Sequence, residues 1–321
     1  MNDIHPMIIA DGAFYPGQSG TVEVAAGQLP SGNQVSISAH VFRSYKPGPT
    51  LMFLAGVHGD EINGVEIVRR CLTNKIFSKI NAGTVIAIPL LNVYGFNNFS
   101  RDVPDGKDVN RSFPGNSTGS LASRIANGLS KNILPHIDLA VDFHTGGRGT
   151  YNFPQVRYNS EDPKAERAAK AFASPLILAK KAPPKSLRRS SMKHHELTVL
   201  TFEGGENLRY DANSIDVGVA GIHRLLYDQQ MVQVKPPDLA KKIILLNQSI
   251  WTRAGQAGLF HWSKRSGFPV RKGEVIGIIA DPHGMRTDKR IVSPRDGFII
   301  GHANSAVVSQ GDALFHIGWN Q

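Results

Sequence analysis

The 321-residue chain contains one cysteine, Cys71. One cysteine closes no intramolecular disulfide, so the fold does not rest on oxidation, and zinc ribbons built from cysteine clusters are excluded. Any metal must be held by His, Asp or Glu. This usage agrees with a cytoplasmic location. No stretch approaches the ~18–20 consecutive apolar residues of a membrane-spanning helix, and mean hydropathy is −0.20, so no membrane partner is expected. The opening Met1-Asn2-Asp3-Ile4-His5-Pro6 lacks the basic and apolar segments of a secretory leader. Glycine (32) and proline (19) are scattered without a period, which excludes collagen-like and mucin-like chains.

Acidic residues are also scarce. Lys and Arg number 36 against 26 Asp and Glu, a formal charge of +10. Such a chain attracts nucleic acid, acidic surfaces or small anions. Lys164, Arg167, Lys170, Lys180, Lys181, Lys185, Arg188, Arg189 and Lys193 crowd one stretch. They read as a solvated helix face followed by a loop. No RNA-recognition, zinc-finger or helix-turn-helix pattern accompanies them, so nucleic acid is not the expected partner and a small anionic substrate is.

Hydrophobic patterning alternates buried strands with helices. Thr50–Val57, Gly83–Leu91, Ile137–Phe143 and Leu197–Phe202 are short apolar runs of the kind that strands covered on both faces require. Between and after them, Glu61–Asn74, Leu121–Leu134, Asp162–Ala173 and Ile215–Gln229 carry helical stripes. An α/β fold follows, with a mixed, mostly parallel sheet flanked by helices. Residues 1–48 read as an N-terminal β segment of this domain, which runs to about residue 235. Pro236-Pro237 opens a different texture, short β-like runs between glycines, which predicts a smaller all-β domain over residues 236–321. It resembles the barrel-sandwich of biotinyl and lipoyl carriers. Ser293-Pro294-Arg295-Asp296-Gly297 offers no lysine for a cofactor, so a structural or gating role is expected of it.

Polar residues gather where the strands end, which is where open α/β sheets place their sites. His58 and Glu61 lie three apart on a strand-to-helix turn, and His144 ends a neighbouring strand. Two histidines and one carboxylate form a recurring set for catalytic zinc that leaves one position open. Zinc in such a set lowers the pKa of its water towards ~7 and polarises a carbonyl. Glu203 ends the fourth strand, with the chemistry of a general base that passes a proton to a leaving nitrogen. Asp142 and His144, two apart on a strand, face one way, so Asp142 is expected to orient a ligand histidine or a substrate-binding arginine. His194-His195 falls in the polar, basic loop and lacks such neighbours.

The strings GVHGDEINGVEIVRR, DVNRSFPG, DFHTGG and FEGGE, in that order over about residues 50–230, resemble the succinylglutamate desuccinylase/aspartoacylase family, a branch of the zinc carboxypeptidase superfamily. The resemblance implies one Zn2+ on His58, Glu61 and His144, with Glu203 as the catalytic carboxylate. It implies that Asn110 and Arg111 recognise a substrate carboxylate, a task suited to the two parallel donors of a guanidinium. It implies further that Arg101 polarises the scissile carbonyl and that Arg188 reaches the substrate, with Arg189 a close competitor.

The expected activity is hydrolysis of the linear amide bond of an N-acylated amino acid or related small carboxylate. A carboxypeptidase-type peptidase acting on peptide or cell-wall fragments is the alternative. A non-catalytic basic binding protein is the third reading, and it leaves a full ligand set beside Glu203 without a purpose. Nothing in the sequence fixes the oligomeric state, and a homo-oligomer stays open.

Overall fold

A computed structural model describes residues 5–29, 31–237 and 242–320. The first four residues, part of the start read as leaderless, and residues 238–241 beyond Pro236-Pro237 lie outside the described residues. In β1 (Ser19–Gln28) buried and exposed positions alternate over the central residues, the mark of a strand covered on one face; β2 (Gln34–Arg43) pairs with it antiparallel. In β3 (Thr50–Ala55), β4 (Thr84–Ile88) and β5 (Leu139–Gly146) every position is buried, because helices cover both sides. β6 (Thr150–Tyr158), β7 (Leu176–Ala179) and β8 (Thr198–Glu206) complete this half. From β1 the order runs β1-β2-β4-β3-β5-β8-β6. The pairs β4-β3, β3-β5 and β5-β8 are parallel, as is β6-β7 beyond the antiparallel β8-β6 pair, so the sheet is mixed with a parallel centre.

Among the described residues, five helices of nine residues or more flank the sheet. α1 (Ile62–Thr73), α3 (Pro163–Phe172) and α5 (Ala212–Asp228) pack on one face through Ile67, Val68, Phe172, Ile222 and Leu225. α2 (Leu121–Asn132) covers the other through Ile125, Ala126 and Leu129. α4 (Leu187–His195) also lies on the α/β half. Capping follows local chemistry: the Asp162 and Asp211 side chains accept from backbone N–H groups at the starts of α3 and α5.

Two elements depart from the expectation. The segment read as a polar, basic loop is α4, so Arg188, Arg189, His194 and His195 are helical. The Ser186 hydroxyl caps it by accepting from Arg189 N, and Leu187, Arg188, Ser190 and Ser191 form a buried face; that face holds one large apolar side chain, too little for a hydrophobic stripe. β6 (TYNFPQVRY) carries Pro154 and several polar residues, and hydrophobic patterning passes over it. It runs antiparallel to β8, and Pro154 falls where the register slips between Glu203 and Gly205, an irregularity that tolerates a missing N–H.

The C-terminal strands include β9 (Gln248–Arg253), β10 (Gly258–Trp262), β11 (Val275–Ala280), β12 (Lys289–Val292), β13 (Gly297–Ala303), β14 (Val307–Val308) and β15 (Ala313–Trp319). β12-β11-β10-β14 make a separate four-stranded sheet. Phe260, Ile276, Ile279, Leu314, Phe315 and Ile317 fill the core beneath it. β13 pairs with β6 at Gly301–Ala303, and β15 and β9 continue outward. The large sheet therefore carries hydrogen bonds from the α/β half into the C-terminal strands.

Candidate active site

The chain leaves β3 through Gly56 at φ +63, a left-handed conformation that glycine adopts without strain. At Gly59 a Cβ would stand 2.0 Å from the backbone of Gly95 and Phe96, so only glycine lets this turn close. The turn delivers His58 and Glu61 to the end of β5. Glu61 occupies the N-cap of α1, yet its carboxylate caps nothing. It turns inward instead. Oε1 lies 2.8 Å from His58 Nδ1, Oε2 lies 2.8 Å from His144 Nδ1, and Oε2 accepts from Thr145 N at 3.0 Å.

The two Nδ1 atoms stand 3.1 Å apart. Each imidazole meets a second carboxylate at Nε2: Asp108 Oδ1 for His58 at 3.1 Å and Asp142 Oδ2 for His144 at 2.8 Å. A proton held at Nε2 by each aspartate leaves both Nδ1 lone pairs directed at the space beside Glu61. Burial opposes charge on both rings, but neighbouring carboxylates outweigh it. Glu61 and Asp108 raise His58, and Asp142 and Glu61 raise His144 well above the ordinary imidazole value. Burial likewise opposes the Glu61 anion, and the two histidines overcome it and hold Glu61 well below the carboxylate range.

These residues fit a divalent ion. The cluster His58, Glu61 and His144 is fully buried, and its donor atoms lie within 4.8 Å of one another. Zinc bonds of about 2.0–2.1 Å in a tetrahedral arrangement separate donors by about 3.3 Å, close to the 3.1 Å between the imidazole nitrogens. Two nitrogens and a carboxylate also match zinc's preference.

Glu203 is one strand away, and its register partner on β5 is His144. Its Oε2 accepts from Asn152 Nδ2 at 2.9 Å, and its Oε1 pairs with Arg157 at 3.0 Å. Arg101 reaches in from the long loop after β4, donating to Glu61 Oε1 at 3.1 Å and Asp108 Oδ2 at 2.9 Å. Asn110 spans two elements: its Nδ2 lies 3.4 Å from His144 Nε2, and its Oδ1 accepts from Leu187 N at 2.8 Å. Arg111 lines the same cavity and is held by its donation to the Asn110 carbonyl at 2.7 Å. Arg188 is 7% exposed and lines the cavity, whereas Arg189 faces solvent. Burial and the nearby Arg157 push the Arg188 pKa down to about 10. His194 and His195 stay outside. All nine expected site residues thus border one cavity of about 500 Å³.

Sequence reasoning passed over Asp108, Asn152, Arg157 and Trp251, which also line this cavity. Asp108 stands in the DVNR string, two residues before Asn110, and its spacing was the available signal. Asn152 and Arg157 sit on the unforeseen strand β6, and Trp251 comes from β9, so no local signal pointed to them.

Residues 47–227 match the family described as succinylglutamate desuccinylase/aspartoacylase catalytic domain. The chain belongs to this family. Among curated family relatives, the N-alpha-acetyl-L-2,4-diaminobutyric acid deacetylase of Halomonas elongata is 26% identical over 278 residues, 83% of this chain and 81% of that protein. The product-bound ectoine utilization protein EutE (DoeB) from Ruegeria pomeroyi shares the fold, with a TM-score of 0.84 and 22% identity over 99% of each chain. A succinylglutamate desuccinylase/aspartoacylase from Rhodobacter sphaeroides gives a TM-score of 0.81 at 24% identity, covering 95% of this chain and 96% of that one. Among the described residues, no helix is long and apolar enough to cross a membrane.

Proposed function

We propose that the protein is a zinc-dependent hydrolase that cleaves the linear amide bond of an N-acylated amino acid or a related small carboxylate. The observation that carries this reading is the convergence of His58 Nδ1, His144 Nδ1 and the Glu61 carboxylate at 2.8–3.1 Å, with Glu203 in register beside His144. The deacetylase and desuccinylase names of its relatives support the same class.

His58, Glu61 and His144 would hold the ion. Bound zinc supplies Lewis acidity, acidifying water towards a pKa of ~7 and polarising a carbonyl. The remaining work falls to this chain's side chains. Glu203 accepts the proton of the attacking water and delivers it to the departing amine nitrogen. Asn152 and Arg157 fix which way its carboxylate points. Arg101 donates to the oxygen that gains charge as the carbonyl becomes tetrahedral, a contribution that is usually the largest electrostatic term. Arg111 and Asn110 anchor a substrate carboxylate, with Arg188 at the cavity wall. Asp142 and Asp108 keep the two imidazoles oriented.

Metal analysis combined with a hydrolysis screen over N-acyl amino acids tests this reading, with Glu203→Ala as the blank. The expected result is about one zinc per chain and turnover that the variant loses. Product release by Glu203→Ala at the wild-type rate overturns the assignment of the base. Cleavage confined to C-terminally varied dipeptides makes the protein a peptidase. A zinc-free protein that binds DNA with a steep salt dependence makes it a binding protein.

A further inference from the structure

The strand that carries Glu203 loses its regular pairing at the next residue. On the β5 side the register steps from Glu203↔His144 to Glu206↔Gly146, and on the β6 side from Glu203↔Gln155 to Gly205↔Asn152. Gly204 therefore has a register partner on neither neighbouring strand. An irregularity of this kind bends its strand and re-aims the side chains around it. This one adjoins the proposed base, at a point where the ladder that fixes a regular strand is interrupted.

A side chain from another element grips it instead. Asn63, in the first turn of α1, is fully buried. Its Nδ2 donates to the Gly204 carbonyl at 3.3 Å, and its Oδ1 accepts from Asp211 N at 3.0 Å. One amide thus holds both ends of the segment between Glu203 and α5. Gly205 stands at φ +78, and a Cβ there would collide with Asn63 Nδ2 and lie 2.9 Å from Asp211 Cβ. The bulge is therefore pressed onto Asn63 as closely as glycine allows. Gly205 is in turn the register partner of Asn152, whose Nδ2 donates to Glu203 Oε2 at 2.9 Å. A shift of the bulge moves both Glu203 and the group that orients it. At its other end the connection reaches the metal cluster, because Asn63 follows Glu61 by two residues. Asp60, on the other side of Glu61, fastens the later part of the same segment: its Oδ2 accepts from Asn207 Nδ2 at 3.0 Å and its carbonyl from Leu208 N at 2.9 Å. Asn63 reaches the peptide that directly follows Glu203.

We infer that Asn63 is a positioning residue: its side-chain amide locks the Gly204–Gly205 bulge to the start of α1 and so fixes Glu203 against the His58–Glu61–His144 cluster. The inference rests on the reading of that cluster and Glu203 as the reaction centre. Asn63 does not line the cavity and acts through the backbone that follows Glu203. Without it, the Gly204 carbonyl loses a buried donor and the bulge relaxes. A reacting group displaced by about 1 Å costs ~10²-fold in rate. The substrate anchors Asn110 and Arg111 stand on the loop after β4, and His58, Glu61 and His144 keep their own bonds. The loss therefore falls on kcat and spares both substrate affinity and the grip on the ion.

The test uses the zinc-loaded full chain and the N-acyl amino acid that the wild type turns over fastest. Asn63→Leu keeps most of the side chain's shape and loses both bonds. Asn63→Asp, assayed at about pH 8 so that the carboxyl is ionised, keeps the acceptor for Asp211 N and loses the donor to Gly204. Its negative charge in the first turn of α1 favours the helix, so this variant decides alone where Asn63→Leu does not fold. Both are expected to lose ~10–100-fold in kcat, with KM and the zinc dissociation constant within about 3-fold of the wild type. Amide hydrogen exchange over residues 203–207 is expected to quicken ~10-fold in both variants, while the Asp211 amide stays protected in Asn63→Asp and not in Asn63→Leu. A folded variant with wild-type kcat overturns the inference. So does a loss of kcat that added zinc restores, or one accompanied by an equal rise in KM, since either marks a general loosening of the site. A wild-type protein that hydrolyses no N-acyl amino acid refutes the hydrolase reading instead. Exchange then decides the clamp: quickened exchange over residues 203–207 in Asn63→Asp keeps it, and unchanged exchange overturns it.

Discussion

Asp108 Oδ1 lies 3.1 Å from His58 Nε2, and the bond gives this ring the same kind of support that Asp142 gives His144 from 2.8 Å. Both imidazoles are thus gripped at the outer nitrogen and directed by the inner one. The two aspartates come from unrelated places, a long loop and a buried strand, yet do one job. Asp108 does a second as well, since its other oxygen accepts from Arg101 at 2.9 Å. Desolvation opposes this anion, and the His58 and Arg101 partners hold its pKa far below the carboxylate range.

Removing either negative charge therefore weakens the grip on a metal. Asp108→Asn and Asp142→Asn are each expected to raise the dissociation constant for zinc by ~10–100-fold, read by competition with a chromophoric chelator. Asp108→Asn also frees Arg101 and is expected to lower kcat beyond what zinc saturation restores. Unaltered zinc content and turnover in Asp142→Asn would remove that residue from the site.

Glu203→Gln keeps the shape of the side chain and the acceptor for Asn152 but discards the proposed base. Turnover at saturating substrate is expected to drop by ~10²–10⁴-fold, while zinc content and substrate affinity stay near the wild-type values. Rate loss that added zinc reverses would instead place Glu203 among the groups that retain the ion.

The legible part of this molecule was the part written in short-range patterns. Apolar runs announced β3, β4, β5 and β8, and the polar residues at their ends announced His58, Glu61, His144 and Glu203. Boundaries drifted because β5 and β8 extend past their apolar cores, carrying His144 and Glu203 inside the strands rather than after them. β6 stayed hidden because its stability comes from pairing with β8 and β13 on either side, a long-range fact that overrides a proline and poor patterning. The same pairing conceals Asn152 and Arg157. α4 escapes the hydrophobic pattern because its buried face is made of one leucine, small hydroxyls and an arginine, and its start is set by one Ser186 hydrogen bond.

Acid is expected to loosen the junction between the two groups of strands. His302 on β13 is buried, with Nδ1 2.6 Å from Ser266 Oγ and its ring between Tyr151 and Trp262. Burial pushes its pKa down to about 4. An unfolded histidine titrates near 6.5, so below that pH the unfolded chain binds a proton that the native ring refuses. Stability is therefore complete above about pH 6.5 and is lost as pH falls towards 4, by up to roughly 3 kcal/mol from this residue. Urea midpoints at pH 7 and pH 4.5, wild type against His302→Gln, isolate the effect, since other titrating groups cancel. An equal pH-dependent loss in both proteins rules it out.

Trp251 ties the C-terminal strands to the chemistry. Its register partner is His316 on β15, and the two rings stack in parallel beneath the cavity. His316 is buried, and burial together with Arg157 and Lys180 keeps it neutral, far below the usual imidazole value. A neutral ring makes a flat, uncharged support and leaves the indole fixed as a wall. Trp251→Ala removes that wall without touching the His58–Glu61–His144 cluster or Glu203. KM is expected to rise about 3–10-fold, the equivalent of one aromatic contact, with kcat changed less. The indole also reports directly: substrate added to Glu203→Ala is expected to shift its fluorescence, and the shift disappears when Trp251 is also replaced by Phe. A kcat that collapses while KM holds would mean that the tryptophan positions a reacting group rather than receiving the substrate.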